Sequence, residues 1–164
     1  MKRALVPGTF DPITSGHLDI ITRSTHLADE IIVAVAPSVK KNPLFSLEKR
    51  VQLAREATAH LPTVTVVPLE GLLVEFARKM GATAVIKGLR AITDFEYEFQ
   101  QTALNYEIDP KLETIFIMSP PSYMYLSSSI VREIASMQGP LDNFVPACVQ
   151  EALREKFGEP ASDV

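Results

Sequence analysis

The chain has 164 residues, 46% of them apolar and 22% charged, a balance that suits one folded domain and excludes a disordered or fibrous chain. Sixteen Lys and Arg against twenty Asp and Glu leave a formal charge of −4, so no global basic field exists to draw in DNA, RNA or an anionic membrane, and no nucleic-acid or membrane partner is expected. The lone cysteine, Cys148, permits neither an intrachain disulfide nor a cysteine-rich zinc site. The opening MKRALVPGTF breaks at Pro7 and Gly8 before a signal-peptide core can form, and no apolar run approaches the roughly 18 residues of a membrane span. A cytoplasmic protein is expected.

In chain order, residues 3–6, 30–36, 64–69, 82–87 and 114–118 form short apolar or β-branched runs, several without polar alternation, as in parallel strands covered on both faces. Segments of helical period separate them: Leu18, Ile21, Thr25 and Ala28; Leu47, Val51, Ala54, Thr58 and Leu61; Leu73, Phe76, Ala77 and Met80; Phe95, Phe99, Ala103 and Tyr106. Each set falls on one stripe, and the last reads as core packing. Two further helices follow, over 128–137 and from about Pro146, where proline suits a first helical turn. The alternation predicts an α/β fold, a doubly wound five-stranded parallel sheet with right-handed crossovers and C-terminal helices. Without repeat or linker, the chain reads as a single domain over 1–158 with a frayed tail over 159–164.

In such a sheet, ligands bind beyond the carboxyl ends of the strands. The first run leads into Gly8-Thr9-Phe10-Asp11-Pro12 and then Thr14-Ser15-Gly16-His17 at the start of a helix. Glycine lets backbone approach a ligand closely, and a helix N-terminus offers N–H groups and partial positive charge to phosphate. His17 at that end can donate to an anionic oxygen, with Thr9 adding a hydroxyl; the plainer alternative is a Gly/Pro turn capped by a histidine. Asp11 is read as orienting the 8–10 turn through Asx hydrogen bonds, the alternative being a metal held through water. Lys40 reads as a solvated surface residue, His26 and His60 as structural or surface residues, and Cys148 as a small buried hydrophobe.

Gly8-Thr9-Phe10-Asp11-Pro12 with Gly16-His17 resembles the signature of the nucleotidylyltransferase superfamily. Lys87-Gly88-Leu89-Arg90, Asp94-Phe95-Glu96-Tyr97-Glu98 and Ser127-Ser128-Ser129 narrow the resemblance to the bacterial pantetheine-phosphate adenylyltransferase family, from Arg3 to about Phe157. The resemblance implies transfer of the adenylyl group of ATP to 4′-phosphopantetheine, giving dephospho-coenzyme A and pyrophosphate. It implies catalytic roles for His17 and Lys41, and phosphopantetheine contacts from Thr9, Lys41, Leu73 and Lys87. ATP contacts are implied for Thr9, Phe10, His17, Gly88, Leu89, Arg90 and Glu98, and for the run Tyr123, Met124, Tyr125, Leu126, Ser127, Ser128 and Ser129. Lys87 stands where many members have arginine, which keeps the charge but loses the bidentate fork. Mg²⁺ is expected as a cofactor carried mainly on the ATP phosphates, with no metal ligand from the protein. A homo-hexamer is implied, and coenzyme A, which shares the pantetheine arm and adenylate of the product, is a candidate inhibitor. The alternatives are transfer to another phosphorylated acceptor, or a non-catalytic sensor of ATP or coenzyme A.

Overall fold

The computed structural model describes residues 2–38 and 42–158; Lys40, Lys41 and the 159–164 tail lie outside them. Five strands, β1 (Arg3–Gly8), β2 (Glu30–Val35), β3 (Val64–Pro68), β4 (Ala84–Leu89) and β5 (Glu113–Met118), form one sheet in the order β3-β2-β1-β4-β5. Every pairing is parallel. β4 runs two residues past the expected end: Lys87, Gly88 and Leu89 pair with Phe116, Ile117 and Met118, so most of the Lys-Gly-Leu-Arg segment is strand.

The unbroken apolar runs are explained by burial on both faces. Ala4, Val6, Ile31, Val33, Val35 and Ile86 belong to one core cluster, whereas the alternating Leu5, Ile32, Ala34 and Val85 belong to the other. The first cluster is completed by α1 (Ser15–Ser24), α2 (Leu47–Ala57), α5 (Ser128–Ser136) and α6 (Ala147–Phe157), through Ile20, Val51, Val131 and Val149 among others. The second is covered by α3 (Leu73–Met80), through Val74, Phe76 and Ala77. A short 3₁₀ turn over Pro121–Tyr123 leads from β5 towards α5. Among the described residues no helix is long and apolar enough to cross a membrane.

α4 (Ile92–Ile108) corrects the expected core stripe. No described side chain of this helix is buried, and Phe95, Phe99 and Tyr106 are each about half exposed or more. Periodicity reports that one face is apolar, not that this chain covers it. Phe95 meets Phe99 and Phe116 of β5 at ring-centroid distances of 5.8 and 6.3 Å, and the cluster stays open to the outside. Cys148, expected to be buried, is half-buried against the first core, and burial pushes its thiol pKa up, which favours the protonated form.

Gly88 sets how closely α1 lies on the sheet. A Cβ at this position would stand 2.9 Å from Ile20 Cγ1, and Ile20 is a buried residue of α1. Gly88→Ala is therefore expected to cost about 1–3 kcal/mol by overpacking. Chemical denaturation should show that cost shrinking in an Ile20→Ala background; an equal cost in both backgrounds would place the strain elsewhere.

Candidate active site

Sheet order reverses between β1 and β4, where chain connections depart in opposite directions and open a crevice. A cavity of about 890 Å³ occupies it. Its walls come from Gly8, Thr9 and Phe10 after β1, His17 of α1, Lys87, Gly88 and Arg90 along β4, and Ser127, Ser128 and Ser129 at the start of α5. Leu72 and Leu73 close one side with apolar surface.

His17 is held by its own helix start. Thr14 is the N-cap of α1, its hydroxyl accepts from the His17 backbone N–H, and the His17 ring reaches back to the Thr14 backbone. This is a capping box with imidazole in place of the usual Glu or Gln. The Thr14 N–H donates to Nδ1 at 3.0 Å. A backbone amide can only donate, so Nδ1 accepts and the neutral ring carries its proton on Nε2. Surrounding protein desolvates the ring, and Arg90 repels its charged form, which together lower its pKa from 6.5 to about 4. The Phe10 ring packs edge-on against it at 5.0 Å. At neutral pH, His17 is an uncharged donor fixed in one tautomer.

The cations of the described lining are all engaged. Lys87 forms an ion pair with Glu98. Arg90 grips Asp94 through Nε and Nη2 at 3.0 and 3.4 Å, and donates from Nη1 to the Leu126 carbonyl at 2.8 Å. Arg132, one turn beyond the serines, donates to the Asp11 carbonyl and, at 3.2 Å, to the Ser129 hydroxyl. Ser128 donates to the Pro12 carbonyl at 2.8 Å, and Ser127 caps α5 by accepting from the Ile130 N–H. The described lining thus sets Lys87, Arg90 and Arg132 against Asp11, Asp94 and Glu98, a balanced set of charges. It includes no group of three or more His, Cys, Asp or Glu able to hold a metal ion.

Asp11 corrects an expectation. Its carboxylate does not bond its own turn; it accepts from the Leu44 and Phe45 N–H groups at 2.8 and 2.9 Å and faces Arg132 at 3.8 Å. The buried carboxylate is satisfied by distant backbone, which leaves its oxygens committed to protein donors.

A family model described as cytidylyltransferase-like matches residues 5–134. The chain is 52% identical over 157 residues to the phosphopantetheine adenylyltransferase of Caldanaerobacter subterraneus subsp. tengcongensis, covering 96% of this chain and 98% of that one. It is 50% identical over 159 residues to the phosphopantetheine adenylyltransferase of Symbiobacterium thermophilum, covering 97% and 98%. The chain belongs to the phosphopantetheine adenylyltransferase family. It is accordingly a nucleotidyltransferase enzyme. Solved structures agree on the fold: a Vibrio parahaemolyticus protein described as a nicotinate-nucleotide adenylyltransferase superposes with TM-score 0.70 at 17% identity over 96% of both chains. A lipopolysaccharide core biosynthesis protein from Thermoplasma volcanium gives 0.57 at 22% identity, over 73% of this chain and 98% of that one.

In this phosphopantetheine adenylyltransferase family member, the cavity gathers Thr9, Phe10, His17, Leu73, Lys87, Gly88, Arg90, Glu98, Leu126, Ser127, Ser128 and Ser129. Leu89, Tyr123, Met124 and Tyr125 are not in its lining. Leu89 is buried and Tyr125 is 84% exposed, whereas Tyr123 packs beside Gly16. Lys41 lies outside the described residues. Arg132 and Gln101 line the cavity without having been singled out in the sequence, and Asp94 and Tyr97, quoted there only within the motif that carries the resemblance, line it too. Arg132 had a local signal, since it stands four residues after Ser128 on the same helix.

The desolvated imidazole predicts an acid-sensitive fold. Folded, His17 takes up its proton only near pH 4; unfolded, it does so near 6.5. Between these values the unfolded chain binds more protons, so this contribution is intact above pH 6.5 and is lost progressively as pH falls towards 4. Thermal melts should show a smaller drop over that window for His17→Gln than for the unaltered protein. Equal drops would mean the ring is not held neutral.

Proposed function

We propose that the chain transfers the adenylyl group of ATP to the phosphate of 4′-phosphopantetheine, releasing dephospho-coenzyme A and pyrophosphate in coenzyme A biosynthesis, and that it works in the cytoplasm. The observation that carries this reading is His17: a neutral imidazole in a fixed tautomer, at a helix N-terminus, on the wall of the switch-point cavity. The relatives' shared name supplies the substrates.

A phosphate monoester has its second pKa near 6, so at neutral pH the attacking phosphate is already largely a dianion and needs no general base. Catalysis then rests on positioning and charge stabilisation. The acceptor phosphate is assigned to Thr9, Lys41 and Lys87, with Leu73 against the pantetheine arm. Glu98, paired with Lys87, orders that ammonium and does not itself meet phosphate. His17 donates from Nε2–H to a non-bridging oxygen of the α-phosphate as negative charge shifts onto it. The β- and γ-phosphates are assigned to Arg90 and to the start of α5 at Ser128 and Ser129, where backbone N–H groups lack intrahelical partners.

The donor set fits Mg²⁺ only as a passenger on the nucleotide: the described residues offer no three-ligand cluster, and both Asp11 oxygens already accept protein N–H groups. The balanced charges of the described lining do not by themselves neutralise a triphosphate, and a divalent cation carried on the nucleotide would supply part of that charge when bound. We further propose that coenzyme A competes for the same cavity, since it combines the product's pantetheine arm and adenylate.

The deciding experiment is pyrophosphate release from ATP with a panel of phosphorylated acceptors, including phosphopantetheine, nicotinate mononucleotide and glycerol phosphate. Phosphopantetheine is expected to be the one efficient acceptor; no turnover with any of them would favour a sensor. His17→Ala is expected to lower kcat by at least about 100-fold, roughly 2.7 kcal/mol, with ATP affinity changed only a few-fold. Equal losses in binding and turnover would make His17 a ground-state ligand.

A homo-hexamer is the proposed assembly. Phe95, Phe99, Leu104 and Tyr106 of α4 and Ile115 and Met118 of the edge strand β5 are all exposed, a concentration of apolar surface of the kind that marks an interface. Analytical ultracentrifugation should find an oligomer that Phe99→Glu weakens; a monomeric unaltered protein would remove this assembly.

A further inference from the structure

Arg50, on α2, is 2% exposed, and no carboxylate among the described residues forms an ion pair with it. Its partners are three backbone carbonyls: Nη1 donates to Thr9 and to Ala36, both at 2.7 Å, and Nε donates to Phe45 at 3.2 Å. Burying a guanidinium without a counter-charge is costly unless its donors are well used. The question is what those bonds hold.

Thr9 and Ala36 follow directly on β1 and β2, and the two ends are already joined by the Ala36 N–H donating to the Gly8 carbonyl at 2.8 Å. The Thr9 carbonyl belongs to the peptide that enters Phe10, and Phe10 has φ +49°. A residue with a Cβ adopts that left-handed conformation only at a steric cost, and it persists only where its surroundings enforce it. Two contacts do so here. The Phe10 ring is buried beneath Gly8, where a Cβ would come within 2.9 Å of it. Arg50 grips the carbonyl on the other side of the same peptide. Phe10 in turn packs edge-on against the His17 ring.

We infer that Arg50 is a positioning residue: its rigid fork holds the Thr9–Phe10 peptide so that Thr9 faces the cavity and Phe10 braces His17. The inference rests on the proposed roles of Thr9 and His17, but its structural half is testable without turnover. Geometry carries it more than charge, because two nitrogens of one rigid plane are needed, Nη1 for the Thr9 and Ala36 carbonyls and Nε for that of Phe45. Lysine, with all its donors on one nitrogen at the end of a flexible stem, cannot reproduce that.

The test compares Arg50→Lys with Val51→Ala, a core truncation on the same helix, under conditions of matched loss in melting temperature. In protein labelled at histidine Cε1, three resonances are expected from His17, His26 and His60, with His17 assigned by the loss of its signal in His17→Gln. Arg50→Lys is expected to move the His17 signal, as the neighbouring ring shifts, while those of exposed His26 and His60 and all three in Val51→Ala stay in place. In steady state, KM for phosphopantetheine is expected to rise about tenfold and kcat to fall, with ATP affinity changed less than about threefold. Should Arg50→Lys not fold, Arg50→Gln is measured in the same way. An unmoved His17 signal with unchanged KM in a folded variant would reduce Arg50 to a structural tie. If the unaltered enzyme ignored phosphopantetheine, the proposed function would fail while the His17 signal still decided the positioning role.

Discussion

Everything at this site depends on β1 lying at the centre of a parallel sheet, with β2 on one side and β4 on the other. Parallel strands all end at the same edge, and connections that leave in opposite directions must part above the strand from which they diverge. The segment after β1 therefore opens to a crevice while the middle of its own strand, Ala4 to Val6, is buried. Leu5 is wholly buried, and four residues later Thr9 is exposed. That abrupt change lets a rigid layer present a reactive loop.

The charges above the sheet are arranged for order more than for excess. Each cation of the described lining has a carboxylate at hand, Lys87 with Glu98, Arg90 with Asp94 and Arg132 with Asp11. Pairing restricts long side chains that would otherwise sample many rotamers. An incoming polyanion meets donors already in place, and it also meets competition from the carboxylates that hold them.

How much was legible in the sequence divides along the distance between partners. The five runs were readable because two-sided burial removes polar alternation within a few residues, and the Thr14 to His17 segment was readable because a capping box is local. Asp11 was misread because its acceptor bonds go to backbone 33 and 34 residues away. Arg50 reaches Thr9 across 41 residues, and Arg132 reaches Asp11 across 121. Only topology brings such pairs together. The α4 stripe failed for another reason: its period was correctly apolar, yet what covers an apolar face is not encoded in the period.

The hydrogen bond from the Thr14 amide to His17 Nδ1 bears on the economy of a catalytic cycle. A histidine that takes a proton in one step must return it in a later one, so a base and its conjugate acid alternate and each turnover includes a recovery. An amide that can only donate holds this ring in a single form. In the proposed transfer, the imidazole begins and ends each cycle unchanged, and it offers the same hydrogen bond when pyrophosphate attacks in reverse. In neither direction does a proton have to be returned to the imidazole before the next turnover.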